Sequence, residues 1–377
     1  MDLTGIIIER IQNEGPISFH DFMEMALYYP GLGYYTSAGS KFGRQGDYFT
    51  SPHLSPVIGM VVGKQIEEMW RHSGEENFTI VEYGAGEGFL CHDILDYLQP
   101  ANRLRYCIIE KSPAMREKQA AHLQGKVEWY DSMEAIGDVT GCVLSNELVD
   151  NFAVHRVVMQ EQLKEVYLDY QNGFVEVLRP AGHPLTNYLE ELGVQLTQGF
   201  QTEINLDAIQ WIKDIGAALK KGYVITIDYG YPAAELYRSS RRTGTLLCYH
   251  QHQINDNPYT AIGMQDITAH VNFSALCHWG FKNGLACAGL VSQAAFLLAL
   301  DFKDCFRKIL AAEEDKRKAV LQEAMLTRTF LLDMGMRLKV LIQHKGMAGK
   351  KLSGLQVPGD QQPFNLPALH TSVPVRG

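Results

Sequence analysis

The chain has no C-x-x-C pair, no long block of lysine and arginine, and no apolar run long enough to span a bilayer. Each absence removes a class of function. Without cysteines at ligand spacing there is no zinc knuckle or dithiol motif, and the seven cysteines, an odd number, read as reduced buried thiols. With no long basic block and a net charge of −9, an electrostatic grip on nucleic-acid backbone or anionic lipid is not expected, and a basic segment of another protein is the more natural partner. Membrane insertion is not expected either. The opening Met1-Asp2-Leu3-Thr4-Gly5 leads only to Ile6-Ile7-Ile8, neither a secretory core nor an Arg-rich transit peptide, so the expected compartment is the cytoplasm. There is no phosphate-binding G-x-x-x-x-G-K and no nucleophile elbow. His250-Gln251-His252, with His270 and Asp256, is the nearest approach to a metal-ligand set, but loop histidines are mostly unliganded and no metal is expected.

What is present is a globular composition, 46% apolar and 20% charged over 377 residues, enough for one large core or two. Within it, residues 81–92 read Val-Glu-Tyr-Gly-Ala-Gly-Glu-Gly-Phe-Leu-Cys-His. The apolar run 78–83 can form a buried strand, and Gly84, Gly86 and Gly88 let the backbone turn sharply and leave room for a ligand beside Ala85. A helix over 89–98 then points its N-terminal amides at that gap. The next strand, 104–109, ends at Glu110, where a carboxylate can accept both hydroxyl hydrogens of a ribose. A dinucleotide fingerprint would place its third glycine at position 89, which is Phe89, and this disfavours an NAD-dependent oxidoreductase. The acidic Glu82 suits a cationic aminoacyl group better than a pyrophosphate. The pattern outlines a pocket for S-adenosylmethionine, against the alternative of a tight strand-to-helix turn that binds nothing.

Strands expected at 80–83, 106–109, 127–130 and 142–145 alternate with helices or loops, so the chain reads as α/β, a Rossmann-like doubly wound, mostly parallel sheet. Ligands of such sheets lie beyond the carboxyl ends of the strands, which places Glu82, Glu110, Asp131 and Asn146 on one crevice. Runs at 155–159, 163–170 and 174–178 form an antiparallel meander with a tight turn at Asn172-Gly173. Helices near 185–198 and 207–219 lead to a central strand at 222–230. A loop over 231–263, a helix over 266–279, a strand at 285–290, helices within 292–332 and a strand at 338–344 complete the reading. Asp266 and His270 are expected as a helix-start cap and surface pair. The organisation expected is a helical lead-in and covering loop (1–75), a core built from 76–154 and 221–350, an inserted cap (155–220) and a loose tail (351–377). In the lead-in, Ser18 caps a helix over 17–28, and the turn-rich stretch 43–56 is either a connector or a cofactor lid.

After the fourth strand comes Ser145-Asn146-Glu147-Leu148-Val149-Asp150, where Glu147 and Asp150 are three apart and share a face on a turn-like path. Two carboxylates suit an arginine acceptor, whose guanidinium stays protonated and needs paired acceptors to orient its plane. The alternative is that Ser145 or Asn146 caps a short helix and both acids are solvated.

These segments together resemble the MidA-like S-adenosylmethionine-dependent methyltransferases, whose mitochondrial members are protein arginine methyltransferases acting in respiratory complex I assembly. The resemblance runs to about residue 350, through Phe22-Met23-Glu24-Met25-Ala26-Leu27-Tyr28-Tyr29-Pro30, Gly46-Asp47-Tyr48-Phe49-Thr50-Ser51-Pro52, the glycine turn, Glu110-Lys111-Ser112-Pro113, Ile227-Asp228-Tyr229-Gly230 and Asp266-Ile267-Thr268-Ala269-His270. It implies that Thr50, Pro52, Glu82, Gly84, Ala85, Gly86, Gly88, Glu110, Lys111, Ser112, Asp131, Ser132 and Asn146 hold the cofactor. It also implies that Glu147 and Asp150 orient and help deprotonate an arginine of a partner protein, while residues 46–53 close over the site. His53 and Ala153 depart from an acid and a proline carried by some members. A reading of another class, a non-catalytic assembly factor that keeps the pocket for a folding ligand and binds a partner, stays open, as does pairing of the chain with itself.

Overall fold

Runs of β-branched and aromatic residues buried on both faces make the principal sheet of the computed structural model, which describes residues 2–37, 41, 50–99, 103–311 and 315–356. Its strands are β1 (Phe78–Tyr83), β2 (Leu104–Ile109), β3 (Glu128–Tyr130), β4 (Val139–Asn146), β5 (Leu219–Tyr231), β6 (Ala286–Ser292) and β7 (Leu338–Lys345). The order is β6-β7-β5-β4-β1-β2-β3, with the two-residue strand Val271–Asn272 beside the end of β5. All pairings within β3-β2-β1-β4-β5 are parallel, and β7 runs antiparallel to both β5 and β6. The chain is thus an α/β protein whose mixed, mostly parallel sheet changes winding direction between β1 and β4, where a crevice opens.

Helices cover both faces. On one, α4 (Val57–Ser73) and α5 (Phe89–Leu98) bury Val61, Ile66 and Ile94 against Ile80, Leu144 and Ile225. On the other, α7 (Leu206–Ala218) and α8 (Phe273–Lys282) bury Ile212, Ile215 and Leu276 against Val81, Val143 and Val224. Ahead of these lie α1 (Leu3–Glu14), α2 (Phe19–Tyr28) and the one-turn α3 (Ser51–Leu54), and α6 (Pro113–Leu123) follows β2. Ser18 caps α2 by accepting from the Asp21 amide at 3.0 Å. The two residues before that helix, Ile17–Ser18, instead pair with Leu163–Tyr170 as the edge of a second, five-stranded sheet holding the meander. Phe22, Leu168 and Ile267 join that sheet to the lead-in in a third core. Among the described residues no helix is long and apolar enough to cross a membrane.

Three expectations are corrected. The helix placed at 266–279 begins only at Phe273, capped by Asn272, because Asp266–Thr268 is a strand of a small three-stranded sheet with Leu247–His250 and Gln253–Asn255. Those two strands also give structure to the segment read as a loop over 231–263. The helix placed at 185–198 stops at Glu191, where Leu192 and Gly193 close it. Residues 43–49 of the expected lid and the tail beyond 356 lie outside the described residues.

Candidate active site

Among the described residues, three cavities of the crevice meet at the carboxyl ends of β1 and β4. The largest, about 450 Å³, is walled by Gly84, Ile109, Glu110, Lys111, Asp131 and Ser132 on the sheet side, and by Tyr28, Phe152 and Trp211 opposite. A second, about 50 Å³, lies between the glycine turn (Gly84, Ala85, Gly86) and Thr50, Pro52 and His53 of the α3 segment, with Glu82, Asn146 and Glu147 at its back. The third, about 80 Å³, is lined by Glu147, Asp150, Asn151, Tyr229, Tyr249, Asp266, Thr268 and His270. Gly84 belongs to the first two and Glu147 to the last two, so the three form one path.

The glycine turn has the backbone its sequence demands. Gly84, Gly86 and Gly88 have φ of 62°, 55° and 87°. A Cβ on Gly84 would stand 2.6 Å from Leu148 Cδ1, so the turn is both left-handed and tightly backed. Beyond it, Glu110 Oε1 accepts from the Ser112 amide at 2.9 Å and Oε2 from Gln119 Nε2 at 3.2 Å. Each oxygen keeps a free lone pair for a hydroxyl. Burial raises this carboxyl above its ordinary range while those two hydrogen bonds pull it down. Glu82 is buried, accepts from Tyr106 Oη at 2.7 Å, and is pushed up to about 7 by loss of solvent. Asn146 Oδ1 is buried with no hydrogen-bond partner. An ammonium donor would satisfy it, and such a donor would also supply the charge that Glu82 lacks. A carboxyl beyond the second strand, a second carboxyl behind the glycine turn and a bare amide oxygen along one path fit S-adenosylmethionine. Ser112 and Gly88 stand back from the cavities. Ser112 caps α6 and hydrogen-bonds Glu110, and Gly88 caps α5.

Glu147 sits where β4 ends, in a left-handed conformation with φ of 50°. Its Oε1 accepts from the Ser51 amide at 3.1 Å and from Asn146 Nδ2 at 3.2 Å. Enclosed by protein except where it opens on the two small cavities, its carboxyl is pushed up to about 8, chiefly by lost solvation and further by Asp228. Asp228 Oδ2 accepts from the Leu148 amide at 3.2 Å and the Val149 amide at 2.8 Å, and Oδ1 from the Tyr229 amide at 2.9 Å. These donors favour the carboxylate, whereas Asp150, which hydrogen-bonds Asp228, is driven upward by burial and then by Asp228. Asp150 therefore carries the proton of the pair. Its Oδ1 has no hydrogen-bond partner.

Asp266 is the residue the sequence reading misplaced. Far from capping a surface helix, it is buried, accepts from Tyr35 Oη at 2.9 Å and Asn151 Nδ2 at 3.2 Å, and faces the third cavity with His270. Burial pushes the His270 imidazole down to about 4, helped by Arg241 and Arg337, so it is neutral at pH 7. The signal was available: Asp266, Thr268 and His270 alternate at period two, the spacing of a strand face and not of a helix. Asp228, Tyr229 and Tyr249 carried no such signal. The histidines at 250 and 252 are not gathered into a metal site, and among the described residues no cluster of three or more His, Cys, Asp or Glu could hold a metal ion.

A sheet in this order, with a glycine turn after its first strand and a buried acid after its second, defines the class I methyltransferases. Residues 61–291 match the family described as "Putative S-adenosyl-L-methionine-dependent methyltransferase", and the chain belongs to that family. Its cofactor is S-adenosylmethionine. The chain is similar to the crystal structure of "a COG1565 superfamily member and likely methyl transferase" from Burkholderia thailandensis bound to S-adenosyl-homocysteine, with 31% identity, 94% of each chain covered and a TM-score of 0.84. Curated relatives at lower identity are the mitochondrial protein arginine methyltransferase NDUFAF7 homolog of Drosophila melanogaster and NDUFAF7 of Homo sapiens. The first is 26% identical over 93% of this chain and 86% of the relative, the second 25% over 91% and 84%.

Proposed function

We propose that this methyltransferase modifies an arginine side chain of a partner protein, with the guanidinium entering the cavity between Glu147 and His270. The observation that carries the reading is that Glu147, Asp150 and Asp266 line this cavity with no lysine or arginine among its lining residues, and that Glu147 also faces the glycine turn. Burial pushes the Glu147 and Asp150 carboxyls upward, and an entering cation would stabilise their ionised forms. The curated relatives named as arginine methyltransferases support the same acceptor.

S-adenosylmethionine, when bound, supplies a methyl group activated by its positive sulfur. The work of the chain is to place and prepare the acceptor. In this reading Glu110 holds the ribose, with Asp131 and Ser132 farther along the large cavity. Gly84, Ala85, Gly86, Glu82 and Asn146, with Thr50 and Pro52 across from them and Lys111 at the rim, hold the remainder. Glu147 gives up its proton to solvent as the guanidinium arrives, accepts hydrogen bonds from two of its nitrogens, fixes its plane, and takes up the proton that the methylated nitrogen sheds. Asp150 and Asp266 accept from the far side, and Asp228 is the fixed negative neighbour that keeps Asp150 oriented. The Ser51 amide ties α3 across the opening and limits water. The proposed compartment is the cytoplasm, whereas the named relatives are mitochondrial proteins.

The test is mass spectrometry of a proteome or peptide pool incubated with the enzyme and isotopically labelled methyl donor. Label on arginine nitrogen is the expected result. Label confined to lysine, carboxyl or hydroxyl groups would overturn the acceptor assignment while leaving the methyltransferase intact.

A further inference from the structure

The floor of the acceptor cavity is acidic, but its rim is not. Arg241 lies 3.8 Å over the ring of Tyr231, and Tyr231 in turn packs edge-on against His270 at 5.3 Å, so a guanidinium stands two rings from the cavity wall. On the adjoining edge, Arg337 immediately precedes Leu338, the residue paired with Tyr229 of the cavity lining. Both arginines raise the local potential at the cavity, since each disfavours the charged form of His270 and Arg337 favours that of Tyr249. Neither is paired with a carboxylate among the described residues. The Arg241 hydrogen bond goes to a backbone carbonyl, that of Glu235, at 2.7 Å, and Arg337 is exposed on the last turn before β7. In a chain of net charge −9, two arginines without carboxylate partners among the described residues, beside an acid-floored cavity, are a local inversion of sign.

A guanidinium alone gains nothing from such a rim, because like charges at the entrance oppose its approach. A segment that presents an arginine to the floor and a carboxylate to the rim gains at both places. We propose that the acceptor segment carries an aspartate or glutamate close to the methylated arginine, and that Arg241 and Arg337 are the specificity residues that receive it. The inference rests on the arginine-acceptor reading above and narrows it, replacing the basic segment expected from net charge with a zwitterionic one. The rim pairs would be partly solvated, so each is worth a few-fold in selectivity and not orders of magnitude.

The experiment is methylation of a peptide library with one fixed central arginine and randomised flanks, read by mass spectrometry for wild type, Arg337→Glu and Arg241→Glu. Wild type is expected to enrich Asp and Glu near the modified arginine by about three-fold or more, and each reversal to remove that bias or turn it toward Lys. Arginine methylation without acidic enrichment, or an acidic bias unchanged in both variants, overturns the inference and leaves the acceptor reading standing. A library in which wild type methylates no arginine overturns both. Because Arg337 is exposed and pairs with no carboxylate among the described residues, its variant carries the test even if Arg241→Glu loosens the segment around Glu235.

Discussion

Ser51 and Glu147, 96 positions apart in the chain, are joined by a single hydrogen bond of 3.1 Å from the Ser51 amide to Glu147 Oε1. Thr50 precedes α3 but makes no side-chain cap, so the acid of the candidate acceptor site does the capping instead. Closure of this short helix and the state of Glu147 are therefore one event.

Glu147→Gln keeps an acceptor oxygen for that amide and stays uncharged. Cofactor affinity in calorimetric titration is expected to change less than about three-fold, while turnover falls by about 100-fold or more because the amide cannot take a proton from the acceptor. A variant with near-normal turnover removes Glu147 from the chemistry.

The same residue sets a pH dependence of stability. Its folded-state carboxyl, at about 8, is above its ordinary 4.5, so its contribution is fully present below about 4.5, declines as the unfolded chain ionises first, and is exhausted above about 8. Unfolding free energy of the ligand-free protein, measured by denaturant titration, is expected to fall with rising pH in this window more steeply for wild type than for Glu147→Gln. Parallel curves for the two proteins would contradict the assignment.

Glu82, at about 7, predicts a separate dependence. If its ionised form meets the cofactor's ammonium, affinity should rise by several-fold between pH 6 and 8, and Glu82→Gln should bind weakly and without that rise. Fluorescence titration across the range reads both. A glutamine variant with the wild-type profile places the ammonium elsewhere.

Asp150 and Asp228 share a proton but not a role. Asp150→Asn retains a donor toward Asp228, so thermal stability is expected to shift little while methylation drops. Asp228→Ala strands the amides of Leu148, Val149 and Tyr229 and is expected to cost about 3 kcal/mol or more in unfolding free energy. Equal destabilisation by the two would show that the pair is only structural.

At the binding turn, Gly86→Val should abolish cofactor binding, since φ of 55° is hostile to a β-branched side chain that would also fill the second cavity. Calorimetric titration decides this, and intact affinity would move the cofactor away from the glycines.

Much of this architecture was readable before the coordinates. The expected helix 89–98 is α5, and 104–109 is β2, because a buried parallel strand and an amphipathic helix each leave a plain apolar signature bounded by turn residues. Two features escape such patterns for different reasons. The helical spacing of Phe273, Leu276 and Trp279 masks the polar alternation of the Asp266–Thr268 strand just before it. Asp228 was legible as the end of a strand, yet its grip on the Leu148 and Val149 amides spans 80 and 79 positions of sequence, a contact that no local pattern encodes.

Glu147, Asp150 and Asn151 face the acceptor cavity, while Leu148, Phe152 and Ala153 face the large one, so one thin strip of chain is the party wall between two rooms. Its length is thereby fixed. A residue inserted or deleted here would shift the side chains after it out of the cavities they line, so the strip bears substitution better than a change of length.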